Sequence, residues 1–446
     1  MVLPVWMGWK PWDAQIWESE EMAMRLKLTK EERDWVLYDV GNSAFTLLVA
    51  TIMPIYFNYL ADLGGLSSVD YVAYWGYAAS VATLIVAVAG PVFGTLADTK
   101  GFKKPIFLVT VVLGAAGCIS LGLAKQWLVF LVIYVIAKVG FSGSLIFYDS
   151  MLADVTDEER MDDVSSQGYA WGYIGSCVPF VACLGVVLGA DAIGITMETA
   201  MAAAFGIVAV WWVVMSFPLV KGYRQKHYVE RREHAVRESF VRLGRTFCNV
   251  RKEKKIFVFL LAFFFYIDGV YTIIDMATAY GSALGLNSTG LLLAFLMTQV
   301  VAFPFAILFG KLAQKYAAEK LILVCIAAYF GIAVFAMFMS TQMHFWILAF
   351  FVGMFQGGIQ ALSRSYFAKI IPSSQSGEYF GLLDICGKGA SFMGTAVVSL
   401  ISQLTGNVNM GVGMIAVMFL IGICLFGAAV KTEGEPQKGG RHAAGN

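Results

Sequence analysis

The sequence predicts an all-α membrane protein with twelve transmembrane helices in two six-helix bundles and with both termini cytoplasmic. Three observations support this fold class. The chain has 446 residues, of which 59% are hydrophobic and only 14% charged, and its mean hydropathy is +0.70. It contains twelve apolar runs of about 20 residues, the length that a helix needs to cross about 30 Å of hydrocarbon. A single long charged segment, residues 221–255, separates the first six runs from the last six.

Composition and cysteine usage argue against several other classes of protein. The net charge of +1 gives no support for a nucleic-acid partner. The seven cysteines are scattered without C-x-x-C spacing, so we interpret them as packing residues. Residues 1–34 are mixed in charge and lack the short apolar core of a cleavable signal peptide. We therefore expect no cofactor and no metal.

Each predicted element follows from an apolar run and its ends. Thr29-Lys-Glu-Glu32 forms a capping-box pattern, which predicts that a helix begins just before the first span. The predicted spans are 35–61, 71–97, 105–124, 127–152, 165–189 and 199–220, then 256–284, 290–313, 320–340, 345–371, 378–404 and 410–430. The predicted domains are an N-terminal segment (1–34), a first bundle (35–220), a linker (221–255), a second bundle (256–430) and a tail (431–446).

The positions of the basic residues predict the orientation of the chain. If both termini are cytoplasmic, all 32 lysines and arginines except Lys125, Lys138 and Lys388 fall in cytoplasmic segments. Short loops that carry positive charge stay on that side of the membrane. The distribution is therefore the one expected for twelve spans.

The linker itself carries a helical pattern. Apolar residues recur at steps of three and four on an otherwise basic stretch, at Val236, Phe240, Leu243, Phe247 and Val250. Such a stripe predicts a helix that lies on an anionic membrane surface. An ordinary charged connector is the alternative interpretation.

The loop after the second span combines a small residue, an acid, a turn glycine and a basic pair. These residues are Gly94, Asp98, Gly101, Lys103 and Lys104. The stretch resembles the G-x-x-x-D-x-x-G-[RK]-[RK] signature of the major facilitator superfamily, which implies a gating role for these five residues. The alternative is a tight cytoplasmic turn with surface lysines.

The eighth span is followed by a partial copy of this loop. Gly310 opens the copy, but Gln314 stands at the position of the acid and Ala317 at that of the turn glycine. The two halves therefore read as repeats. We do not expect the second loop to make the same charge contact.

The charged residues inside the predicted spans include seven that are not counted with the cytoplasmic segments: Asp39, Lys138, Asp149, Asp268, Asp275, Asp384 and Lys388. At about 2.5–3.5 kcal/mol each, their exposure to lipid would cost roughly 17–25 kcal/mol. This exceeds a typical free energy of unfolding of about 5–15 kcal/mol. Most of the seven must therefore face water, each other or the bundle interior.

Further polar residues share helix faces with these charges. Asn42 follows Asp39, Thr272 follows Asp268, and Gln356, Gln360 and Arg364 line one face of the tenth span. The major facilitator resemblance implies that the first, fourth, seventh and tenth helices line a central cavity. For Gln356, Gln360 and Arg364, helix packing through hydrogen bonds is the alternative.

Depth in the membrane singles out two of the charged residues. Asp268 and Lys138 both lie about 17–18 Å from the start of their spans, near the middle of the membrane. We hypothesise that they face one cavity and that Asp268 changes protonation during transport. A permanent ion pair is the alternative. Asp39 and Asp384 lie near helix starts, where local helix chemistry could also explain them.

A closer resemblance covers residues from about 30 to about 430. Tyr38-Asp39-Val-Gly-Asn42-Ser43-Ala44-Phe45 and Phe355-Gln356-Gly357-Gly358-Ile359-Gln360-x-x-Ser363-Arg364 resemble patterns of the vacuole-effluxer-like branch, whose fungal members are implicated in amino-acid release. The resemblance implies an amino-acid transporter. Positions 149 and 384 are usually uncharged in that pattern, whereas this chain has Asp149 and Asp384.

These observations predict a secondary transporter that moves a small polar or zwitterionic solute, with an amino acid favoured, and that is coupled to protons. One alternative is a proton-coupled exporter of amphipathic or cationic compounds, and another is a receptor or scaffold that transports nothing. An enzyme is not expected, because all four histidines lie outside the spans. We expect a monomer that contacts membrane lipids, and a bacterial cytoplasmic membrane is favoured.

Overall fold

A computed structural model describes residues 27–66, 68–230, 250, 253–283, 286–405 and 408–431. Nearly all of these residues are helical. The predicted amphipathic linker helix lies outside the described residues except for Val250, and the tail lies outside them except for Lys431.

Twelve long helices account for most of the described chain. In the first half they are α1 (Lys30–Ala50, continued after Thr51 by Ile52–Leu63), α2 (Ser68–Ala97), α3 (Lys103–Leu121), α4 (Trp127–Ser150), α5 (Met161–Leu188) and α6 (Met197–Gly222). In the second half they are α7 (Lys254–Ala283), α8 (Ser288–Ala313), α9 (Ala318–Ala336), α10 (Gln342–Ile370), α11 (Ser376–Thr405) and α12 (Val408–Lys431). The prediction of twelve spanning helices is confirmed.

Length and composition support membrane insertion of these helices. Eleven segments are long and apolar enough to cross a membrane by themselves. The twelfth helix, α11, has 30 residues and is therefore also long enough, although it carries Glu378, Asp384 and Lys388. Large apolar side chains such as Val88, Val109 and Val210 are at least 60% exposed, as expected for surfaces that face lipid.

Polar side chains fix where several helices begin. The Thr29 hydroxyl accepts a hydrogen bond from the Glu32 amide and the Glu32 carboxylate accepts one from the Thr29 amide, which confirms the predicted capping box. Asn287 and Thr341 cap the starts of α8 and α10 in a similar way.

The helices pack into two bundles that meet along a shared interface. In the first bundle α1 packs on α5 and α6, and α3 on α4; in the second, α7 packs on α11 and α12, and α8 on α10. The bundles contact each other mainly through α2 with α11, and through α5 with α8 and α10.

Two glycine crossings show that the bundles are repeats. A Cβ on Gly94 of α2 would lie 2.2 Å from the Gly377 carbonyl oxygen of α11, so only glycine permits this approach. At the equivalent crossing of α8 with α5, a Cβ on Gly310 would lie 2.7 Å from the Ser166 Cβ. Gly94 and Gly310 therefore occupy matching places in the two halves, as the partial copy of the loop motif predicts.

Candidate functional site

Arg364 joins the two bundles near the end of α10, about 9 Å from the helix terminus at Ile370. Its Nη1 lies 3.1 Å from Asp149 Oδ1 and 3.5 Å from Asp39 Oδ2. Its Nε donates to the Ser165 hydroxyl at 2.9 Å, and its Nη2 donates to the Ser165 carbonyl at 2.8 Å. A cation of the second bundle is therefore held by acids and backbone of the first.

Aromatic rings enclose this arginine. The guanidinium carbon lies 4.2 Å from the ring centre of Tyr169, 4.6 Å from that of Trp35 and 5.5 Å from that of Tyr148. Trp35 and Tyr148 stack at 4.3 Å, and the Tyr148 hydroxyl donates to Asp39 at 3.1 Å. Because the rings exclude water, the charges inside interact more strongly than they would at a surface.

The cluster has an excess of acid. Two carboxylates face one guanidinium, so the three groups sum to one negative charge when all are ionised. The Asp149 side chain is 27% exposed, whereas that of Asp39 is only 7% exposed and also accepts a 3.4 Å hydrogen bond from Asn42. Asp384 lies half-buried on α11. The cluster can therefore accept a further positive group.

Asp268 lies in a different environment, inside the second bundle. Its Oδ1 accepts hydrogen bonds from the Thr272 hydroxyl at 3.2 Å and from the Gly394 amide of α11 at 3.1 Å. Its Oδ2 is buried without a hydrogen-bond partner among the described residues. A Cβ on Gly394 would lie 2.3 Å from Asp268 Oδ1, so the bare glycine allows α11 to approach the acid.

The expectation that Asp268 and Lys138 face one cavity stays a prediction. Asp268 is fully buried, because α11 closes over it at Gly394. Lys138 is partly exposed on α4, with its ammonium 5.3 Å from the ring centre of Phe141. Depth along a helix was predictable, but it did not show which helix packs against the acid.

The remaining predicted residues lie on the expected helices. Gln356 is buried and Gln360 half-buried on α10. Gln356 lines a mostly apolar pocket between α7, α8 and α10, which is partly open to solvent. The side chains of Asp275 and Lys388 lie outside the described part of the structure.

A second set of contacts closes the bundle interface at the end that carries the linker. The Asp98 carboxylate accepts hydrogen bonds from the amides of Gly377 at 2.8 Å and Glu378 at 2.9 Å. These amides belong to the first turn of α11, where free N–H groups and the helix dipole favour an anion. Gly101 has a φ of +81°, which allows the turn that returns the chain to α3.

Lys103 completes this set of contacts, which we call the gate after the role predicted for the loop and define by Gly94, Asp98, Lys103, Ser376 and Gly377. Lys103 is fully buried, and its ammonium donates to the Ser376 hydroxyl at 2.9 Å and lies 3.6 Å from Asp98. The neighbouring Lys104 is partly exposed. The signature loop therefore binds the second bundle directly.

Sequence reasoning missed several residues around the gate. Asp154 lies 3.7 Å from the Lys103 ammonium, and Lys369 pairs with Asp162 across the bundles at 2.6 Å. Asp154 follows the fourth span in an acidic loop, where its sequence resembles that of an ordinary solvated turn. In the sequence Lys369 is one of many basic residues, so nothing identified it as the partner of Asp162.

Comparison with known proteins identifies a family and sequence relatives for this chain. The chain matches the vacuole effluxer Atg22-like family over residues 28–438. It is 43% identical to the uncharacterized MFS-type transporter YxiO of Bacillus subtilis, over 90% of this chain and 95% of that protein. It is 24% identical to autophagy-related protein 22 of Saccharomyces cerevisiae, over 55% of this chain and 53% of that protein.

Solved structures show the same fold. The human organic anion transporter MFSD10 superposes with a TM-score of 0.70 at 14% identity, covering 90% of this chain and all of that one. The major facilitator transporter FucP, in its outward conformation, gives 0.65 at 13% identity and covers 90% and 97%. These relatives are transporters rather than enzymes. The chain is a multi-pass membrane protein that belongs to the vacuole effluxer Atg22-like family of major facilitator transporters.

Proposed function

We propose that this transporter moves a small zwitterionic solute, an amino acid in the first place, by alternating access coupled to protons. The observation that carries the proposal is the cluster of Arg364 with Asp39 and Asp149 at the bundle interface. A guanidinium suits the carboxylate of an amino acid and the two acids suit its ammonium group. One cluster therefore offers complementary partners to both ends of the solute.

The cluster also suggests why opening requires the solute. Separating the bundles removes Arg364 from its acids, and an uncompensated charge that stays buried costs about 3–5 kcal/mol. A bound zwitterion replaces each lost partner with one of its own charges. The empty protein should therefore resist opening at this end, whereas the loaded protein should open.

Asp268 is the residue we assign to proton coupling. Its buried Oδ2 has no described partner, so a proton there would remove a charge from an apolar setting. Asp268 also holds α11 through the Gly394 amide, and Asp98 holds the same helix through the amides of Gly377 and Glu378. These two contact points are about 25 Å apart along α11. Protonation of Asp268 would weaken its hydrogen bond with the Gly394 amide and so bias the position of α11.

We assign the linker and both termini to the cytoplasm, from the distribution of lysine and arginine. With this orientation the gate would be closed on the cytoplasmic side, as in an outward-facing or an occluded state. FucP, a neighbour in fold, is described in an outward conformation. The similarity to a Bacillus subtilis protein favours a bacterial cytoplasmic membrane, where we expect a monomer in contact with lipid.

A second candidate function is export of cationic amphipathic compounds in exchange for protons. The rings of Trp35, Tyr148 and Tyr169 form a cage of the kind that binds organic cations. In this structure Arg364 fills the cage, which is why we place this function second. A receptor or scaffold would bind ligand in the same cluster without moving it.

The test begins with a thermal-shift screen of amino acids and organic cations on purified protein. Uptake of each hit into proteoliposomes is then measured with and without a pH gradient, for the wild type and for Asp268→Asn. We expect amino-acid uptake that the gradient accelerates in the wild type, and exchange without that acceleration in Asp268→Asn. Asn keeps an oxygen that can accept from Thr272 and Gly394 but cannot carry the proton. An unchanged gradient response in the variant would remove Asp268 from coupling, and binding without flux would favour the receptor.

A further inference from the structure

The first residues after α6 lie across the gate loop rather than leading away from it. We call residues Tyr223–Glu230 the strap. The Val229 amide donates to the Asp98 carbonyl at 2.8 Å, and the Lys100 amide donates to the Val229 carbonyl at 3.1 Å. Thr99 and Val229 thereby form an isolated parallel β-bridge. The strap thus binds the backbone of the residue whose carboxylate holds α11.

Gln225 adds two contacts to the same loop. Its side-chain amide donates to the Ala97 carbonyl at 3.1 Å, and its side-chain oxygen accepts from the Gly101 amide at 3.0 Å. Together with Val229, it satisfies backbone groups at Ala97, Asp98, Lys100 and Gly101. The turn that presents Asp98 and Lys103 is therefore fixed from outside by the linker.

The strap also supplies most of the described partners of Asp154, a carboxylate that is only 2% exposed. The Tyr223 hydroxyl and the amides of Lys226 and His227 donate to it, the amides at 3.1 and 2.8 Å. The His227 Nδ1 lies 3.1 Å away. Burial, and next the Asp154 charge, raise the pKa of the Tyr223 phenol well above its usual value, so the hydroxyl keeps its proton and donates.

These donors affect Lys103, whose ammonium lies 3.5 Å from the Ser150 carbonyl and near three further partners. It is 2.9 Å from the Ser376 hydroxyl, 3.6 Å from Asp98 and 3.7 Å from Asp154. With the strap in place, Asp154 is satisfied by other donors, and Lys103 makes its shortest contact with the second bundle. Without them, the buried Asp154 charge would draw Lys103 away from Ser376 and Asp98.

We propose that the strap is a positioning element of the gate: by satisfying Asp154 and the 97–101 backbone, it holds Asp98 and Lys103 on α11, so the linker controls gate closure. A segment of the chain that belongs to neither bundle thereby sets the stability of the closed state. This role of the strap does not depend on the identity of the solute or on proton coupling.

Hydrogen–deuterium exchange of the purified full-length protein, without solute, tests this directly. The Gly377 and Glu378 amides, which are bonded to Asp98, report closure of the gate. We expect Tyr223→Phe and Val229→Pro each to speed exchange there by about tenfold, since the first removes a hydrogen bond to Asp154 and the second one to the Asp98 carbonyl. Val229→Ala is the matched control for the proline variant, because it keeps both backbone bonds of residue 229.

Lys226→Met is the matched control for Tyr223→Phe. It removes the exposed Lys226–Glu31 pair but leaves the Lys226 amide on Asp154. We expect both controls to exchange at the wild-type rate. Amides at the start of α10, at the opposite end of the bundles, should stay unchanged in all variants, which separates gate opening from general unfolding.

Two results would overturn the proposal. One is wild-type exchange at Gly377 and Glu378 in both strap variants, while Asp98→Asn accelerates it; the strap would then be a passive tether. The other is equal acceleration at the gate and at the start of α10, which would indicate lost fold stability. Because no transport is measured, a failure to find a transported solute would leave this result intact.

Discussion

The glycine crossing of α2 and α11 gives a quantitative prediction, in which Gly94→Ala opens the gate. The added Cβ would lie 2.2 Å from the Gly377 carbonyl oxygen and 2.8 Å from its carbon. Both atoms belong to the backbone, so no change of rotamer can relieve the contact. Ordinary contact for a Cβ begins at 3.4 Å. The helices must therefore separate by about 1 Å, or the closed state must be abandoned.

The energetic cost follows from the same contacts. Overpacking typically costs about 1–3 kcal/mol. A helix separation of about 1 Å would also stretch the Asp98 hydrogen bonds to the amides of Gly377 and Glu378, which are now 2.8 and 2.9 Å long, beyond hydrogen-bond range. A hydrogen bond to a charged group contributes about 1.5–3 kcal/mol. If the helices separate, the overpacking is relieved but both hydrogen bonds are lost, which destabilises closure by about 3–6 kcal/mol. Each 1.4 kcal/mol changes the ratio of closed to open protein tenfold.

Pulsed electron–electron double resonance between two spin labels can measure this change in the ratio of closed to open protein. Glu159→Cys in the first bundle and Lys315→Cys in the second are exposed at the gate end, and the exposed native Cys424 would be replaced by serine. We expect a longer distance to predominate in Gly94→Ala. Gly76→Ala is the control on the same helix, because nothing lies within 4 Å of its added Cβ. If Gly94→Ala kept the wild-type distance, the crossing would not be what closes the gate.

Three further predictions follow from buried charges. Arg364→Lys should lower solute exchange in proteoliposomes at least tenfold at unchanged folding, since an ammonium cannot reproduce the fork of donors to Asp149 and Ser165; exchange at the wild-type rate would contradict the assigned role. Glu32→Ala should lower the free energy of unfolding by about 3 kcal/mol, because it leaves Arg160 without its carboxylate. Glu31→Ala, which removes an exposed ion pair with Lys226, should change the free energy of unfolding by less than about 1 kcal/mol, as measured by chemical denaturation of both variants. Equal losses of stability in the two variants would contradict the difference assigned to the buried and the exposed pair. Gly394→Ala should reduce gradient-driven uptake, because its Cβ would displace the Asp268 carboxylate; unaltered uptake would show that this contact is dispensable.

The helices were predictable because a membrane constrains the sequence so strongly. The first helix begins at Lys30, as the capping box predicts, which is five residues before the predicted start of the first span at residue 35. The five extra residues include Glu32 and Asp34, which are buried against the rest of the protein although they are charged. A hydropathy pattern cannot show that such acids have partners at the membrane surface.

The sequence predicted which helices carry the residues of the candidate site, but not which of these residues contact each other. Helical spacing identified Asp39, Asp149 and Arg364 as polar positions facing away from lipid, and the structure brings all three together. The sequence pointed to Lys138 as the central cation, because depth was the only guide. Which cation reaches which acid depends on how α10 packs on α5. A Cβ on Gly168 of α5 would lie 3.0 Å from Arg364 Nη2, so the glycine leaves room for the guanidinium.

The gate shows the same limit. The signature loop identified Asp98 and Lys103, but their partners on α11 are mainly backbone amides, which every sequence has. The strap was also not visible, because its role depends on a fold that brings Val229 to Asp98. Contacts made through the backbone therefore have no residue signature.

Solute counterflow tests the central claim most directly, because it requires alternating access but no driving force. Proteoliposomes loaded with unlabelled amino acid would receive trace labelled amino acid outside. The account predicts transient accumulation of label with the wild type, at least tenfold less with Arg364→Lys, and unchanged accumulation with Gly76→Ala. Binding of amino acids by purified protein without counterflow of any of them would contradict it.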